Sequence, residues 1–458
     1  MSNMTRRTFM SAAGVASLML AACGGSNQSA DSAASTDAAT DAGTDTAATT
    51  GKTITGTYDI HIQGYDWGCG VDKVNLTLDE PLDAASAEDF LVMETKQTTD
   101  FTDETFPIIE SSMTRGVIEA KLSDDGKTVA FTLFCSPMDG DSPLLFSMAT
   151  QFNTYSDPYY LTFAPSSSAS LTSGGEAVGA FDIKQEYTAK TTSADAWKLD
   201  SWESSDGVTY QYAAFEPEQA AKTLVVWLHG MGEGGTEKTD PYVTLLANKV
   251  VALSEPEFQE TVGGAYVVAP QCPTYWMDND GKSGNFNGGI VADGTSFYTA
   301  SLEEFIDSCA QKVGAEKIVL AGCSNGGYMT MVLSIHRPTA YAAVVPICEA
   351  LPDEHITDEQ IASLKDLPMY FVYSEDDTTV DPSKHEVPTI ERLRAAGKTD
   401  DTLHVSTTEH VIDTSGEFVD ENGDPYEYMG HWSWIYFDNN ECVCDDGLKA
   451  WDFIAENV

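Results

Sequence analysis

The spacing of apolar residues changes along the chain and divides it into two regions. From residue 53 to about 190, apolar and polar positions alternate in short runs such as 53–62, 117–122 and 129–134. Gly, Asp, Asn and Pro separate these runs. A period of two is typical of strands that bury one face, so about seven short strands are predicted, which favours a β-sandwich.

Residues from about 195 to 458 instead contain near-continuous apolar runs, each followed by a helix-like stretch. The runs are Leu224–Leu228, Gly264–Ala269, Lys317–Ala321, Ala343–Ile347 and Met369–Tyr373. The predicted helices are Val243–Leu253, Ser301–Val313, Tyr328–His336, Lys384–Ala396 and Leu448–Asn457. Strands that are covered on both faces carry such runs, and their alternation with helices predicts a mostly parallel, doubly wound α/β fold.

The first 22 residues have the features of an export signal. Arg6 and Arg7 precede the apolar run Phe9–Ala22, which is too short to span a membrane as a helix. Leu20-Ala-Ala-Cys23 resembles a bacterial lipobox. This implies a lipid on Cys23 that anchors the protein to the outer face of the bacterial cell membrane. The alternative is an ordinary cleaved signal with a chance cysteine.

The route of export stays open, because the residues around Arg6 and Arg7 also partly resemble a twin-arginine signal. The segment that follows, 23–52, consists mainly of small and polar residues, and it is predicted to be a disordered tether. The predicted order is therefore signal peptide (1–22), tether (23–52), all-β domain (53–190) and α/β domain (195–458).

Charge narrows the choice of partners. The sequence has 72 acidic and 24 basic residues, a net charge of −48. Such a surface repels nucleic acid, so no nucleic-acid partner is expected. The hydrophobic content of 42% is ordinary for a globular protein. Charge bears on solubility and partners, so the chemistry has to be read from motifs.

One motif predicts a nucleophile. The strand Lys317–Ala321 runs into Gly322-Cys-Ser-Asn-Gly326, and a helix is predicted directly after it. Strand, Gly-x-Ser-x-Gly and helix form the context of a nucleophile elbow, which indicates Ser324. The turn is tight enough that its flanking positions need almost no side chain, hence the glycines. The alternative is a glycine-rich turn with an incidental serine.

A serine hydroxyl needs a base to take its proton, and the base needs an orienting acid. In this type of fold, the acid follows the serine in the chain and the histidine comes last. The acidic turn after Met369–Tyr373 offers Asp377, three residues before Val380, a position that resembles the acid of α/β-hydrolases. Asp376 is the alternative acid.

Two histidines, His410 and His431, lie beyond the last predicted strand, Leu403–Thr407, where the base belongs. Between them, residues 417–428 are predicted to form a β-hairpin with an Asn-Gly turn. The Gly-His step at His431 stands in an aromatic loop before the last helix and resembles the catalytic histidine loop of this superfamily. His431 is therefore the predicted base and His410 the alternative.

The strand Leu224–Leu228 ends in the glycine-rich loop His229-Gly-Met-Gly-Glu-Gly-Gly235. Such a loop can aim a backbone N–H at a substrate oxyanion, and the residue after the nucleophile supplies a second donor. Met231 and Asn325 are the predicted donors. The alternative for the loop is a plain flexible turn.

Residues 195–458 as a whole resemble an α/β-hydrolase. The motifs that carry the resemblance are Leu228–Glu233, Ala269–Pro273, Gly322–Gly327 and Gly430–Ser433. The nearest branch holds feruloyl-esterase-like, polyhydroxybutyrate-depolymerase-like and prolyl-oligopeptidase-like enzymes. Residues 53–190 resemble the immunoglobulin-like domain that precedes some secreted bacterial esterases. The resemblance implies an acyl-enzyme mechanism without a cofactor.

Three hypotheses about function follow. The first is a cell-surface serine esterase acting on small-molecule or polysaccharide-linked esters. The second is a peptidase of the prolyl-oligopeptidase-like type, although no motif for a peptide terminus is recognisable. The third is a surface protein that binds without turnover. The elbow is specific to the fold rather than to a substrate, so acyl and alcohol specificity stay open.

Eight cysteines remain besides Cys23. A Cys69–Cys135 disulfide is one possibility for the all-β domain, and Cys442 or Cys444 could tie the histidine loop to the body. Cys442-x-Cys444 is a weak zinc signal, because no second ligand pair follows at zinc spacing. No metal site is therefore expected.

Overall fold

The computed structural model describes residues 51–138, 142–236, 238–282 and 290–458. The predicted signal peptide, Cys23 and nearly all of the predicted tether lie outside the described residues. Among the residues that are described, no helix has both the length and the apolar character needed to cross a membrane.

The amino-terminal part of the described chain is built from short strands. They are β1 Lys52–Tyr65, β2 Gly68–Leu78, β3 Phe90–Thr99, β4 Ile108–Arg115, β5 Val117–Leu122, β6 Thr128–Leu133, β7 Leu144–Phe146, β8 Asn153–Tyr155, β9 Tyr159–Pro165, β10 Thr172–Ser173, β11 Glu176–Ile183 and β12 Lys190–Thr192. One sheet has the order β10-β11-β1-β2-β6-β5, with β12 beside β1, and a second has the order β4-β3-β9.

The two sheets pack face to face through aromatic rings. Tyr58 of β1 contacts Phe163 of β9 at 5.4 Å between ring centres, and Phe131 of β6 contacts the same ring at 5.8 Å. Strand β1 alternates between buried and partly exposed positions along most of its length, as the predicted period of two requires. The result is two sheets enclosing one core, while the immunoglobulin-like assignment stays a prediction.

The suggested disulfide in this region is not formed. Cys69 is a buried thiol 3.6 Å from Ser142 Oγ. Cys135 donates to the carbonyl oxygen of Val71 at 3.5 Å and receives a hydrogen bond from Arg115. The reason is that each sulfur has its own polar neighbour in a packed interior. Cys442 and Cys444 are likewise separate thiols.

The carboxyl-terminal part is organised around one eight-stranded sheet. Its strands are β13 Lys198–Glu203, β14 Thr209–Phe215, β15 Thr223–Leu228, β16 Tyr266–Gln271, β17 Lys317–Cys323, β18 Ala343–Ile347, β19 Met369–Ser374 and β20 Leu403–Thr408. Their order is β13-β14-β16-β15-β17-β18-β19-β20. Strands β15 to β20 run parallel, and β13 and β14 extend one edge in antiparallel fashion.

Helices cover both faces of this sheet. They are α1 Val243–Leu246, α2 Pro256–Thr261, α3 Thr299–Val313, α4 Asn325–His336, α5 Asp358–Ser363, α6 Glu386–Ala395, α7 Trp434–Asp438 and α8 Ala450–Asn457. Every residue of β15 and β18 is buried, as expected of strands covered on both sides. The predicted helix 243–253 is instead α1 followed by a 3₁₀ helix at Val250–Ser254.

The segment before the predicted base differs from the expected hairpin. Isolated bridges join Ile412 to Glu427 and Val419 to Pro425, so no continuous ladder forms. Phe418 of this segment packs edge-on against Trp67 of the amino-terminal sheets, at 4.8 Å between ring centres. The Tyr426 N–H donates to the carbonyl of Phe418 at 3.0 Å and the Asp420 N–H donates to that of Asp424 at 2.8 Å. Short-range backbone hydrogen bonds and packing against the amino-terminal part therefore hold the segment together.

Candidate active site

Ser324 sits at the turn between β17 and α4. Its φ of 55° and ψ of −115° are rare for a residue with a side chain and cost about 1–3 kcal/mol. The Ser324 N–H donates to the carbonyl of Ile347 on β18 at 2.9 Å, and its carbonyl accepts from Tyr328 at 2.8 Å. The strained turn is thus held on both sides, and Ser324 is 8% exposed.

The glycines around Ser324 are required by close backbone approach. A Cβ added at Gly326 would overlap the carbonyl oxygen of Leu228, at the end of β15. A Cβ added at Gly322 would lie 2.7 Å from the carbonyl oxygen of Gly326. Helix α4 can therefore start directly against the end of β15 only because both positions lack a side chain.

The predicted acid and base lie together in a buried pair. His431 Nδ1 is 2.6 Å from Asp377 Oδ2, and the side chains are 0% and 1% exposed. Asp377 lies in the turn after β19, and its Oδ1 accepts the N–H groups of Thr379 and Val380 at 2.8 and 2.9 Å. These two hydrogen bonds aim the other carboxylate oxygen at His431.

This contact determines the tautomer of His431. A carboxylate accepts hydrogen bonds, so the proton of the neutral imidazole resides on Nδ1 and Nε2 is left with a lone pair. His431 Nε2 is buried and has no hydrogen-bond partner among the described residues. Trp434 packs edge-on against the imidazole at 5.6 Å, which restrains the ring. The free nitrogen is the one that a general base uses.

The alternative acid and base form a pair of their own. Asp376 Oδ2 lies 2.8 Å from His410 Nδ1, and these side chains are 32% and 49% exposed. Asp376 Oδ1 accepts from the hydroxyl of Ser374 at 2.5 Å. The hydrogen bond that His410 donates to Asp376 raises the pKa of His410, because the carboxylate favours the imidazolium. Burial therefore separates the two pairs, and only the pair of Asp377 and His431 is shielded from water.

The two predicted oxyanion donors are each the first residue of a helical turn. Met231 begins the 3₁₀ turn Met231–Glu233, and Asn325 begins α4. The first N–H groups of a helix have no partner within it and can bind a substrate oxygen. A Cβ added at Gly230 would lie 3.6 Å from Cys323 Sγ, so the glycine-rich loop borders the residue before Ser324.

His229 is a positioning residue that sequence reasoning left without a role. Its Nδ1 faces the carbonyl oxygen of Gly230 at 2.6 Å, and its Nε2 accepts the N–H of Cys272 at 2.9 Å. Burial lowers the pKa of His229 to about 4, so the ring is neutral and can both donate and accept. It ties the glycine-rich loop to the end of β16. The Leu-His-Gly step after a buried strand is the signal that could have indicated it.

Three buried carboxyl groups near the site, Glu233, Glu349 and Glu386, were also not predicted from the sequence. Burial raises the pKa of Glu233 to about 8 and that of Glu349 to about 8. The pKa of Glu386 is raised well above its ordinary value by burial, then by Glu349 and by Asp377. Protonated carboxyls limit the negative charge around Asp377 at neutral pH. No local pattern distinguishes these glutamates from the many on the surface.

Part of this chain matches a known protein family, and its fold matches a solved structure. Residues 211–418 match the model of the family described as Phospholipase/Carboxylesterase. A solved structure of a thermostable esterase aligns with a TM-score of 0.61 and 19% identity, over 84% of this chain and 96% of its own. The carboxyl-terminal part of this chain has the α/β-hydrolase fold. No curated protein matches the sequence.

Two other solved structures align less closely. A ferulic acid esterase aligns with a TM-score of 0.39 and 12% identity, over 57% of this chain and 98% of its own. Acylaminoacyl peptidase from Pyrococcus horikoshii aligns with a TM-score of 0.35 and 14% identity, over 74% of this chain and 50% of its own. The family match spans Ser324 and Asp377 but ends before His431. His431 therefore lies outside the matched residues, and its place in the site comes from its contact with Asp377.

Proposed function

We propose that this protein is a serine esterase that cleaves carboxylic esters through an acyl-enzyme on Ser324. The observation that supports it most is the buried pair of Asp377 and His431, whose unpartnered Nε2 is available as a base. The elbow serine and the two orphan N–H groups supply the remaining parts of an acyl-transfer site.

The proposed reaction has two halves. Ser324 Oγ attacks the ester carbonyl carbon while His431 Nε2 takes the hydroxyl proton, and the N–H groups of Met231 and Asn325 bind the oxyanion. His431 returns the proton to the departing alkoxide, which leaves as the alcohol. Water then attacks the acyl-serine while His431 takes its proton, and His431 returns that proton to Ser324 Oγ as the carboxylic acid is released. Asp377 orients His431 and stabilises the imidazolium in both halves.

Esters are preferred over peptides because the matched family is described as phospholipase and carboxylesterase. The proposed substrates are small-molecule or polysaccharide-linked esters. The site of action proposed is the outer face of the bacterial cell membrane, with Cys23 lipidated, on the basis of the lipobox-like sequence alone. A peptidase and a non-catalytic binding protein are kept as outcomes of the test.

The test compares wild type with Ser324→Ala and with Ser363→Ala, an exposed serine of α5. We expect wild type and Ser363→Ala to hydrolyse a small aryl ester and to be labelled by a fluorophosphonate. Ser324→Ala should lose about 10⁴-fold or more in kcat and should not be labelled, while its circular dichroism is unchanged.

Full activity of Ser324→Ala would exclude the proposed nucleophile. Failure of the wild type to label with the fluorophosphonate would favour the binding protein. A panel of matched ester and peptide substrates on the wild type distinguishes the esterase from the peptidase, since the peptidase would turn over the peptides faster.

A further inference from the structure

We propose that His404, Cys444 and Asp446 form a binding site for a zinc ion, away from the catalytic site. Cys444 Sγ lies 3.8 Å from His404 Nδ1 and 2.9 Å from Asp446 Oδ1. His404 Nδ1 is 4.0 Å from Asp446 Oδ2. One ligand atom from each residue therefore falls within 4.8 Å of the other two.

The three separations, 3.8, 2.9 and 4.0 Å, lie on both sides of those around a single tetrahedral ion and within about 0.7 Å of them. Zinc binds thiolate sulfur at about 2.3 Å, imidazole nitrogen at about 2.0–2.1 Å and carboxylate oxygen at about 2.0–2.2 Å. At tetrahedral angles these bonds place the ligand atoms about 3.4–3.6 Å apart. The thiolate, imidazole and carboxylate are also the three ligand types that zinc accepts in proteins.

The surroundings hold the ligands in place without an ion. The His404 ring packs against both Tyr370 and Phe453, at 6.0 and 5.3 Å between ring centres. Asp446 Oδ1 accepts the N–H of Leu448 at 3.0 Å, which orients the carboxylate. Ligands that are restrained by their neighbours lose less conformational freedom when the ion binds.

A single thiol proton does not satisfy this cluster. Cys444 Sγ faces Asp446 Oδ1 at 2.9 Å, the carbonyl of Leu448 at 3.2 Å and His404 Nδ1 at 3.8 Å. The thiol carries one hydrogen and can donate to one of the three. A zinc ion would engage the sulfur, the imidazole and the carboxylate together. Binding would release the thiol proton, because the thiolate is the form that coordinates.

The cluster is not built as a reactive thiol. Burial and the hydrogen bond to Asp446 raise the pKa of Cys444, so the thiol is neutral in the absence of a metal. A nucleophilic cysteine needs the opposite shift, which a neighbouring cation would provide. Asp446 is exposed to solvent, so a water molecule would be the fourth ligand of the ion.

The location indicates a structural role. His404 is the second residue of β20, an outer strand of the sheet, whereas Ser324 and Asp377 follow the opposite, carboxyl ends of their strands. The segment of Cys444 crosses this strand, where the Val443 N–H donates to Ser406 Oγ at 3.1 Å. The ion would fasten this segment, and α8 after it, to the outer strand β20.

The test uses tag-free protein that has been reduced, stripped with a chelator and dialysed. Zinc content is measured after addition of Zn²⁺, and Co²⁺ is used as a spectroscopic probe for a thiolate ligand. The variants are Cys444→Ser and His404→Gln. The control is Cys442→Ser, which removes a buried thiol two residues away that lies outside the cluster.

We expect one zinc ion per chain and a thiolate-to-cobalt charge-transfer band in the wild type and in Cys442→Ser. Cys444→Ser should lose the band, and both ligand variants should bind zinc at least about 100-fold more weakly. A second cluster, Asp376, His410 and Glu427, contains no sulfur and cannot produce that band.

The proposal is overturned if the wild type shows no charge-transfer band, or if the band survives in Cys444→Ser. Equal loss in Cys442→Ser and Cys444→Ser would also overturn it. The circular dichroism spectrum and the Tm monitor folding in each variant. Because the site is distant from the proposed nucleophile, failure of zinc binding leaves the esterase proposal intact, and failure of the esterase leaves this one intact.

Discussion

Replacing Asp377 with asparagine changes one hydrogen bond on which the proposed mechanism depends. Asp377 Oδ1 accepts two backbone N–H groups, and Oδ2 lies 2.6 Å from His431 Nδ1. In the variant, the amide oxygen keeps the backbone N–H groups and the amide NH₂ faces His431. The imidazole must then accept at Nδ1 and carry its proton on Nε2, where it cannot take the proton of Ser324.

The size of the effect follows from the burial of the pair. The two side chains are 0% and 1% exposed, so water has little access with which to restore the original tautomer. The same exchange in a well-studied serine protease triad lowers kcat about 10⁴-fold, which corresponds to about 5 kcal/mol. We expect a loss of about 10³–10⁴-fold in kcat here, with the fold unchanged because the side chains have nearly equal volume.

The matched control is Asp376→Asn, one residue away. Asp376 also faces a histidine, at 2.8 Å, but that pair is 32% and 49% exposed. Its loss should change kcat on a small aryl ester by less than about 3-fold, because exposed pairs contribute little. The reasoning is refuted if Asp377→Asn retains more than a tenth of the activity, or if Asp376→Asn loses as much.

Two further predictions concern stability. Glu349→Gln should raise the free energy of unfolding at pH 8 and have less effect at pH 5. The folded protein keeps Glu349 protonated up to about pH 8, so the wild type loses up to about 5 kcal/mol of stability as the pH rises from about 4.5 to about 8. Denaturant unfolding at the two pH values measures this difference, and equal effects at both would contradict it. Gly326→Ala should lower the Tm sharply and abolish fluorophosphonate labelling, because the alanine methyl group would overlap the carbonyl of Leu228. The control Gly64→Ala, whose added carbon would lie 3.4 Å from its nearest neighbour, should do neither. An unchanged Tm for Gly326→Ala would show that the close approach is not required.

The α/β-hydrolase fold was predictable because its signals are local. Five of the six parallel strands, β15 to β19, carry near-continuous apolar runs, and the Gly-x-Ser-x-Gly turn joins β17 to α4 within a few residues. Strands β13 and β14 were missed, because polar positions interrupt the apolar residues in both. The roles of Met231 and Asn325 also rest on local signals and stay predictions.

The sequence by itself determined which residues are candidates for the catalytic site, because the strand, turn and helix signals that mark them extend over only a few residues. It could order Asp376, Asp377, His410 and His431 along the chain but could not pair them, since either acid could reach either histidine. Packing of β19 against the Gly430 loop decided that Asp377 meets His431 in the interior and Asp376 meets His410 at the surface. The same reason applies to the proposed zinc ligands, whose meeting depends on contacts between residues 40 positions apart.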